Sequence, residues 1–172
     1  RVRIPDAFRL RSDKTRKMRR FAVRVPGNGD SVNCLERFMN HYFASDIHLG
    51  AGGEAFAGET ERRFVAWLDD AAKDAESIFL VGDLFDFWFE YREVVPKGFV
   101  RTLGKLAELA DRGGRVVFFT GNHDMWVGDY LARECGVEVY TSPQRFCLNG
   151  KHLFIAHGDN MKIDGQPVLK LV

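Results

Sequence analysis

The chain has 172 residues, of which 45% are hydrophobic and 28% charged, the composition of a soluble globular domain and not of a disordered or fibrous one. No apolar run approaches the roughly 18 residues that a membrane-spanning helix needs, and the first residues lack the apolar core of a secretory signal, which argues against a spanning or exported protein. The net charge of +1 hides an asymmetry: residues 1–26 hold ten Arg or Lys against Asp6 and Asp13, so that stretch carries +8 and the remainder −7.

Residues 1–38 show no sustained period of 2 or 3.6 and end in the turn-prone Pro26-Gly27-Asn28-Gly29-Asp30. They read as a basic, poorly ordered extension foreign to the domain, with a transit peptide or a nucleic-acid arm as the rivals, and with Met39 as the natural start of a single domain over 39–172. From His41 the pattern changes. Tyr42-Phe43-Ala44, Ile78-Phe79-Leu80-Val81, Val116-Val117-Phe118-Phe119 and Leu153-Phe154-Ile155-Ala156 are short, β-branched or aromatic runs of the kind that buried strands show. Between them, 59–75 places Phe64, Trp67, Leu68 and Ala71 on one helical face, and 99–112 makes a stripe of Leu103, Leu106, Ala107, Leu109 and Ala110 that stops at Gly113-Gly114. A shorter helix is expected over 129–134, a hairpin with a two-residue Asn149-Gly150 turn over 146–155, and a helical element begins at 167–172. Alternation of strand and helix implies an α/β domain with a mainly parallel sheet and an antiparallel element near the end. Cys34, Cys135 and Cys147 are too few and too dispersed for a disulfide scaffold or a CxxC zinc site, which points to a reducing, cytoplasmic compartment.

Each apolar run is followed by metal-ligating residue types. Asp46 and His48 follow the first, Gly82, Asp83 and Asp86 the second, Gly121, Asn122, His123 and Asp124 the third, and His157, Gly158 and Asp159 the last. A lone Asp at a strand end is ordinarily a turn or helix-cap residue, and His41 and His152 read as packing or surface residues. The joint pattern is different, because ligands in open α/β sheets bind outside the carboxyl ends of the strands, so four such clusters converge on one crevice. Carboxylate, amide and imidazole without thiolate suit Mn²⁺, Mg²⁺, Fe²⁺ or Zn²⁺. A two-metal centre, which clamps the oxygens of a phosphoryl group during in-line displacement, fits best. Asp83 is the candidate bridge, and Asp46 and His48, two apart, would hold one ion together in an extended chain.

Asp46-Ile47-His48, Gly82-Asp83-Leu84-Phe85-Asp86, Gly121-Asn122-His123-Asp124 and His157-Gly158 resemble, in order and spacing over 41–160, the motifs of the calcineurin-like metallophosphoesterases. That resemblance implies a sandwich of mixed β-sheets flanked by helices. It also implies two divalent ions, Mn²⁺ foremost: Asp46, His48 and Asp83 at the first, Asp83, Asn122 and His157 at the second. His123 would stabilise phosphoryl charge or protonate the leaving oxygen, with Asp124 orienting it. The wording around the motifs, notably 81–91 and 157–161, is similar to the branch that cleaves UDP-2,3-diacylglucosamine in lipid A synthesis. The substrate implied is a UDP-linked diacyl sugar, with peripheral contact at the cytoplasmic face of the inner membrane and no nucleic-acid partner.

Trp88, Phe89, Tyr91 and Arg92 are the candidate substrate contacts: an apolar wall for acyl chains with a cation for phosphate, set against the alternative that the rings fill the core. The family also carries a late Gly-His-x-His motif, and no histidine follows His157. The resemblance therefore implies a chain incomplete at its C-terminus, lacking two imidazole ligands. Other phosphoester substrates, or an inactive phosphate-binding fragment, are the rival readings.

Overall fold

The computed structural model describes Phe21–Val25 and residues 39–159. In chain order the elements are β1 (Phe21–Val25), β2 (Asn40–Ser45), α1 (Glu54–Ala71), β3 (Ala75–Val81), α2 (Val100–Asp111), β4 (Arg115–Phe119), α3 (Tyr130–Cys135), β5 (Glu138–Tyr140), β6 (Gln144–Leu148) and β7 (Lys151–Ile155). The first five strands form one sheet in the order β1-β2-β3-β4-β5; β2 through β5 are parallel and β1 is antiparallel on the outer edge of β2. Strands β6 and β7 form a separate antiparallel hairpin.

The alternation of side chains along each strand makes two cores. Ala44, Ile78, Leu80, Val116 and Phe118 face the helices, where they meet Phe64, Trp67 and Leu68 of α1, Leu106 and Leu109 of α2 and Leu131 of α3. The intervening residues Phe79, Val117 and Phe119 face the hairpin and pack on Leu148 and Ile155. Because successive parallel strands are adjacent and such crossovers are right-handed, the three connecting helices fall on one face, leaving the other for the hairpin. The architecture is the α/β arrangement of helix layer, mainly parallel sheet and antiparallel element that the residue pattern implies.

Several boundaries differ from the periodicity. Helix α1 covers Glu54–Ala71 where 59–75 is expected, because β3 begins already at Ala75 and pairs with Asn40 of β2, and residues 72–74 form the turn between them. Strand β5, three residues long, is too short to carry a readable period of 2. Phe21–Val25 forms a strand where no element is expected. Its register on β2 runs from Phe21↔Ser45 to Val25↔His41, and the backbone groups of the β2 edge supply the pairing that the local pattern does not announce. The rest of 1–38 and residues 167–172, expected to begin a helix, lie outside the described residues. Among the described residues no helix is long and apolar enough to cross a membrane. The Asn149-Gly150 turn is as expected: both residues have positive φ, 50° and 71°, as a two-residue hairpin turn twisted with its strands requires.

Candidate metal centre

Parallel register brings three loops together. Ala44 lies opposite Leu80 and Leu80 opposite Phe118, so β2, β3 and β4 end side by side. The loop backbones then interlock: Asp46 N–H donates to Gly82 O at 3.2 Å, His48 N–H to Asp83 O at 2.9 Å and Leu49 N–H to Leu84 O at 2.9 Å. These bonds hold Asp46, His48 and Asp83 at φ 56°, 50° and 53°, left-handed conformations that cost a non-glycine residue roughly 1–2 kcal/mol. His157 arrives from the opposite layer, two residues beyond β7. Two glycines make room. A Cβ on Gly82 would overlap the His157 ring, and one on Gly121 would overlap the Asp83 carboxylate.

The ligand atoms gather in two groups, Asp46 with Asp83 and His157, and His48 with Asp86 and His123, each within 4.8 Å. Asp83 joins them. Its Oδ2 is 3.4 Å from His157 Nε2 and 3.6 Å from His48 Nε2, while its Oδ1 accepts the His123 N–H at 3.0 Å. His157 Nδ1 lies 3.0 Å from Val81 O, which can only accept, so that nitrogen carries a proton and Nε2 faces the carboxylate. Burial pulls the His157 imidazole down, but its bonds to Asp83 and to the Val81 carbonyl and the charges of Asp83 and Asp46 outweigh that, and it is pushed up to about 9. Burial likewise acts to raise Asp83, yet the hydrogen bonds of His157 and His123 and their charge hold it below its ordinary value. Crowded carboxylates draw a proton onto His157 here, and a divalent cation would satisfy the same environment; the buried His48 Nδ1, which has no hydrogen bond among the described residues and lies 3.2 Å from Asp86 Oδ1, adds to the fit.

The grouping departs from period-2 reasoning in one respect. Asp46 and His48 both turn through positive φ instead of extending, and they fall in different groups, although His48 Nε2 also lies 3.6 Å from Asp83 Oδ2. Asn122 is exposed on the turn between Gly121 and His123. Asp86, which the reading of the motif left without a role, sets His123: the His123 Nδ1–H donates to Asp86 O at 2.8 Å, and the two imidazoles of His48 and His123 meet edge to face at 4.6 Å. Asp124, expected to orient His123, instead accepts from backbone N–H groups, Gly121 at 2.7 Å, Leu84 at 2.8 Å and Phe85 at 3.3 Å.

Comparison with known proteins places this geometry. Residues 39–170 match the family model described as calcineurin-like phosphoesterase. The chain belongs to that family. It is 50% identical over 118 residues to a UDP-2,3-diacylglucosamine hydrolase of Porphyromonas gingivalis, covering 69% of this chain and 45% of that one. It is 30% identical over 134 residues to the protein of the same name from Pseudomonas aeruginosa (77% and 53% covered), and 32% identical over 124 residues to that of Histophilus somni (72% and 50%). The chain spans about half the length of the curated relatives it matches.

The aromatic segment of the chain divides. Trp88 is fully buried between Phe85, Phe99 and Tyr130, with its indole N–H donating to Glu90 at 2.9 Å, so it belongs to the core and not to a substrate wall. Phe89 and Tyr91 are exposed, and the Arg92 guanidinium sits 5.4 Å over the Tyr91 ring. The exposed surface also includes Phe87 of the same aromatic run, and Met125 and Trp126, which the sequence reading passed over; Phe87 and Phe89 approach Trp126 at 5.8 and 6.4 Å. Met125-Trp126 directly after Asp124 was the available signal. Backbone bonds from Trp88 N–H to His123 O and from Glu90 N–H to Trp126 O, 3.3 and 3.2 Å, tie this segment to the histidine loop.

Proposed function

We propose that this phosphoesterase hydrolyses the pyrophosphate bond of UDP-2,3-diacylglucosamine, adding water across the P–O–P bridge to release UMP and 2,3-diacylglucosamine 1-phosphate. The observation that carries the reading is the convergence of two carboxylate–imidazole groups on Asp83 beside an exposed aromatic surface. The names of the relatives point to the same substrate.

Asp46, His48, Asp83, Asn122 and His157 are the ligands in this reading, and Mn²⁺ is the first candidate for both ions, since the donors are oxygen and imidazole without thiolate. Divalent ions supply stabilisation of the charge that develops on phosphoryl oxygens. The chain's own residues do the rest. Asp86 O fixes the His123 tautomer with its proton on Nδ1, which leaves Nε2 to exchange a proton with the leaving oxygen. The surface of Phe87, Phe89, Tyr91 and Trp126 offers apolar area to acyl chains, with Arg92 as a partner for phosphate and with peripheral contact at a membrane surface where such a substrate resides.

The test is turnover of UDP-2,3-diacylglucosamine by Mn²⁺-loaded protein, read as UMP release, beside a phosphopeptide and a cyclic nucleotide. Asp83→Ala is expected to abolish hydrolysis and to lower bound Mn²⁺ from two ions toward one or none. Full metal content and turnover in that variant, or preference for the cyclic nucleotide, would overturn the proposal.

A further inference from the structure

The two loops that follow β3 and β4 exchange carboxylates. Asp83, from the first loop, accepts the N–H of His123 in the second at 3.0 Å, and Asp124, from the second, accepts the N–H groups of Leu84 and Phe85 in the first at 2.8 and 3.3 Å. The other oxygen of Asp124 closes its own loop on the Gly121 N–H at 2.7 Å. Asp124 is fully buried, so no solvent can replace it as an acceptor. The residue immediately before the clamped amides is Asp83, held at φ 53° against its intrinsic preference, and a left-handed residue persists only where its neighbours are fixed on both sides. On one side the interlock with His48 fixes it through its own carbonyl. On the other side stands Asp124.

We infer that Asp124 is a positioning residue for Asp83, acting through the backbone of Leu84 and Phe85, and is not a partner of the His123 ring. The ring is held independently by the Asp86 carbonyl at 2.8 Å. Only a carboxylate serves both loops, because each of its oxygens must accept; an asparagine would turn an NH₂ toward either the Gly121 or the Leu84 and Phe85 amides. Where the inference concerns metal affinity it rests on the reading of Asp83 as a ligand, and where it concerns the backbone it does not.

The experiment compares the unaltered chain with Asp124→Asn, and with Glu61→Ala as a control that removes another buried carboxylate acceptor. Glu61 is also a buried carboxylate accepting two backbone N–H groups, those of Arg101 and Thr102 at 3.1 Å each, but it lies between α1 and α2. Amide hydrogen exchange without metal is expected to quicken in Asp124→Asn at Leu84, Phe85 and Gly121 and also at His123, whose N–H donates to Asp83; Glu61→Ala leaves these four amides unchanged. Mn²⁺ affinity by calorimetry falls about 10- to 100-fold in Asp124→Asn and not in the control. Exchange that quickens at the three directly bonded amides while His123 stays protected would overturn the inference, as would equal losses in both variants. Should Asp124→Asn fail to fold, the unaltered chain decides: the four amides are expected to open as one unit with a common urea dependence, and independent opening of His123 overturns the inference. A chain that binds no Mn²⁺ at all would refute the metal reading instead, with the exchange data still deciding on Asp124.

Discussion

At the residue scale, the site depends on placing side chains where backbone preference opposes them. Asp46, His48 and Asp83 all stand at positive φ, and Gly82, at φ 76°, keeps the space beside Asp83 open for His157. Gly82→Ala is therefore expected to displace the His157 ring and to strain the turn, lowering stability by about 1–3 kcal/mol in urea titration and weakening Mn²⁺ binding in calorimetry. Unchanged metal binding would show that the loop yields without moving His157. His123 should behave differently, because its ring is fixed by a carbonyl and it is not the group that joins the two clusters. His123→Ala is expected to slow turnover by about 10²- to 10⁴-fold while Mn²⁺ stoichiometry holds, and loss of metal together with activity would assign it to the ligand shell. The motifs made these residues visible as a set. They did not reveal the two groupings, Asp46 with Asp83 and His157 and His48 with Asp86 and His123, which depend on contacts between loops that no local pattern reports.

At the element scale, α2 begins without a cap of its own. Phe99 occupies the cap position at φ 56° with no side-chain bond, and the Arg101 and Thr102 N–H groups are taken instead by Glu61, seven residues into α1. Glu61 is buried, so its carboxylate both satisfies the exposed end of the helix dipole and fixes α1 against α2. Glu61→Ala should cost about 1–2 kcal/mol, seen as a lower urea midpoint with Mn²⁺ binding unchanged. The apolar stripe of α2 was legible because it repeats at helical spacing, whereas this cap was not, since forty residues separate Glu61 from the amides it holds. The ends of α1 were misplaced for a related reason: where helix yields to strand is settled by the pairing of Ala75 with Asn40.

At the scale of the whole molecule, the sheet is covered by helices on one face and by the β6–β7 hairpin on the other, and the hairpin delivers His157. Phe79 anchors that second layer, stacked on Phe43 at 4.7 Å and meeting Phe146 edge to face at 5.1 Å. At the opposite end of β2 from the candidate metal ligands lies His41, buried, with Nδ1 2.7 Å from Ser77 Oγ. Burial holds its pKa below the ordinary 6.5, with the Arg115 charge acting the same way and Glu76 and Asn149 opposing. A histidine whose folded value is depressed stabilises fully above about pH 6.5 and loses that contribution as pH falls through the folded value. Urea midpoints at pH 7.5 and 5.5 should therefore converge in His41→Gln relative to the unaltered chain, and an equal acid loss in both would assign the effect to other groups. The types of β2, β3, β4, β7 and the three helices, the hairpin turn and the four loops of candidate ligands were legible in the sequence alone, because hydrophobic period and turn chemistry act within a few residues. What only the tertiary structure decided depends on groups far apart in the chain: the burial of Trp88, the pairing of Phe21–Val25 on a sheet edge, the exposed Phe87–Trp126 surface, and the hold of Asp124 on the loop of Asp83. Each is a contact whose partner lies beyond the reach of local pattern.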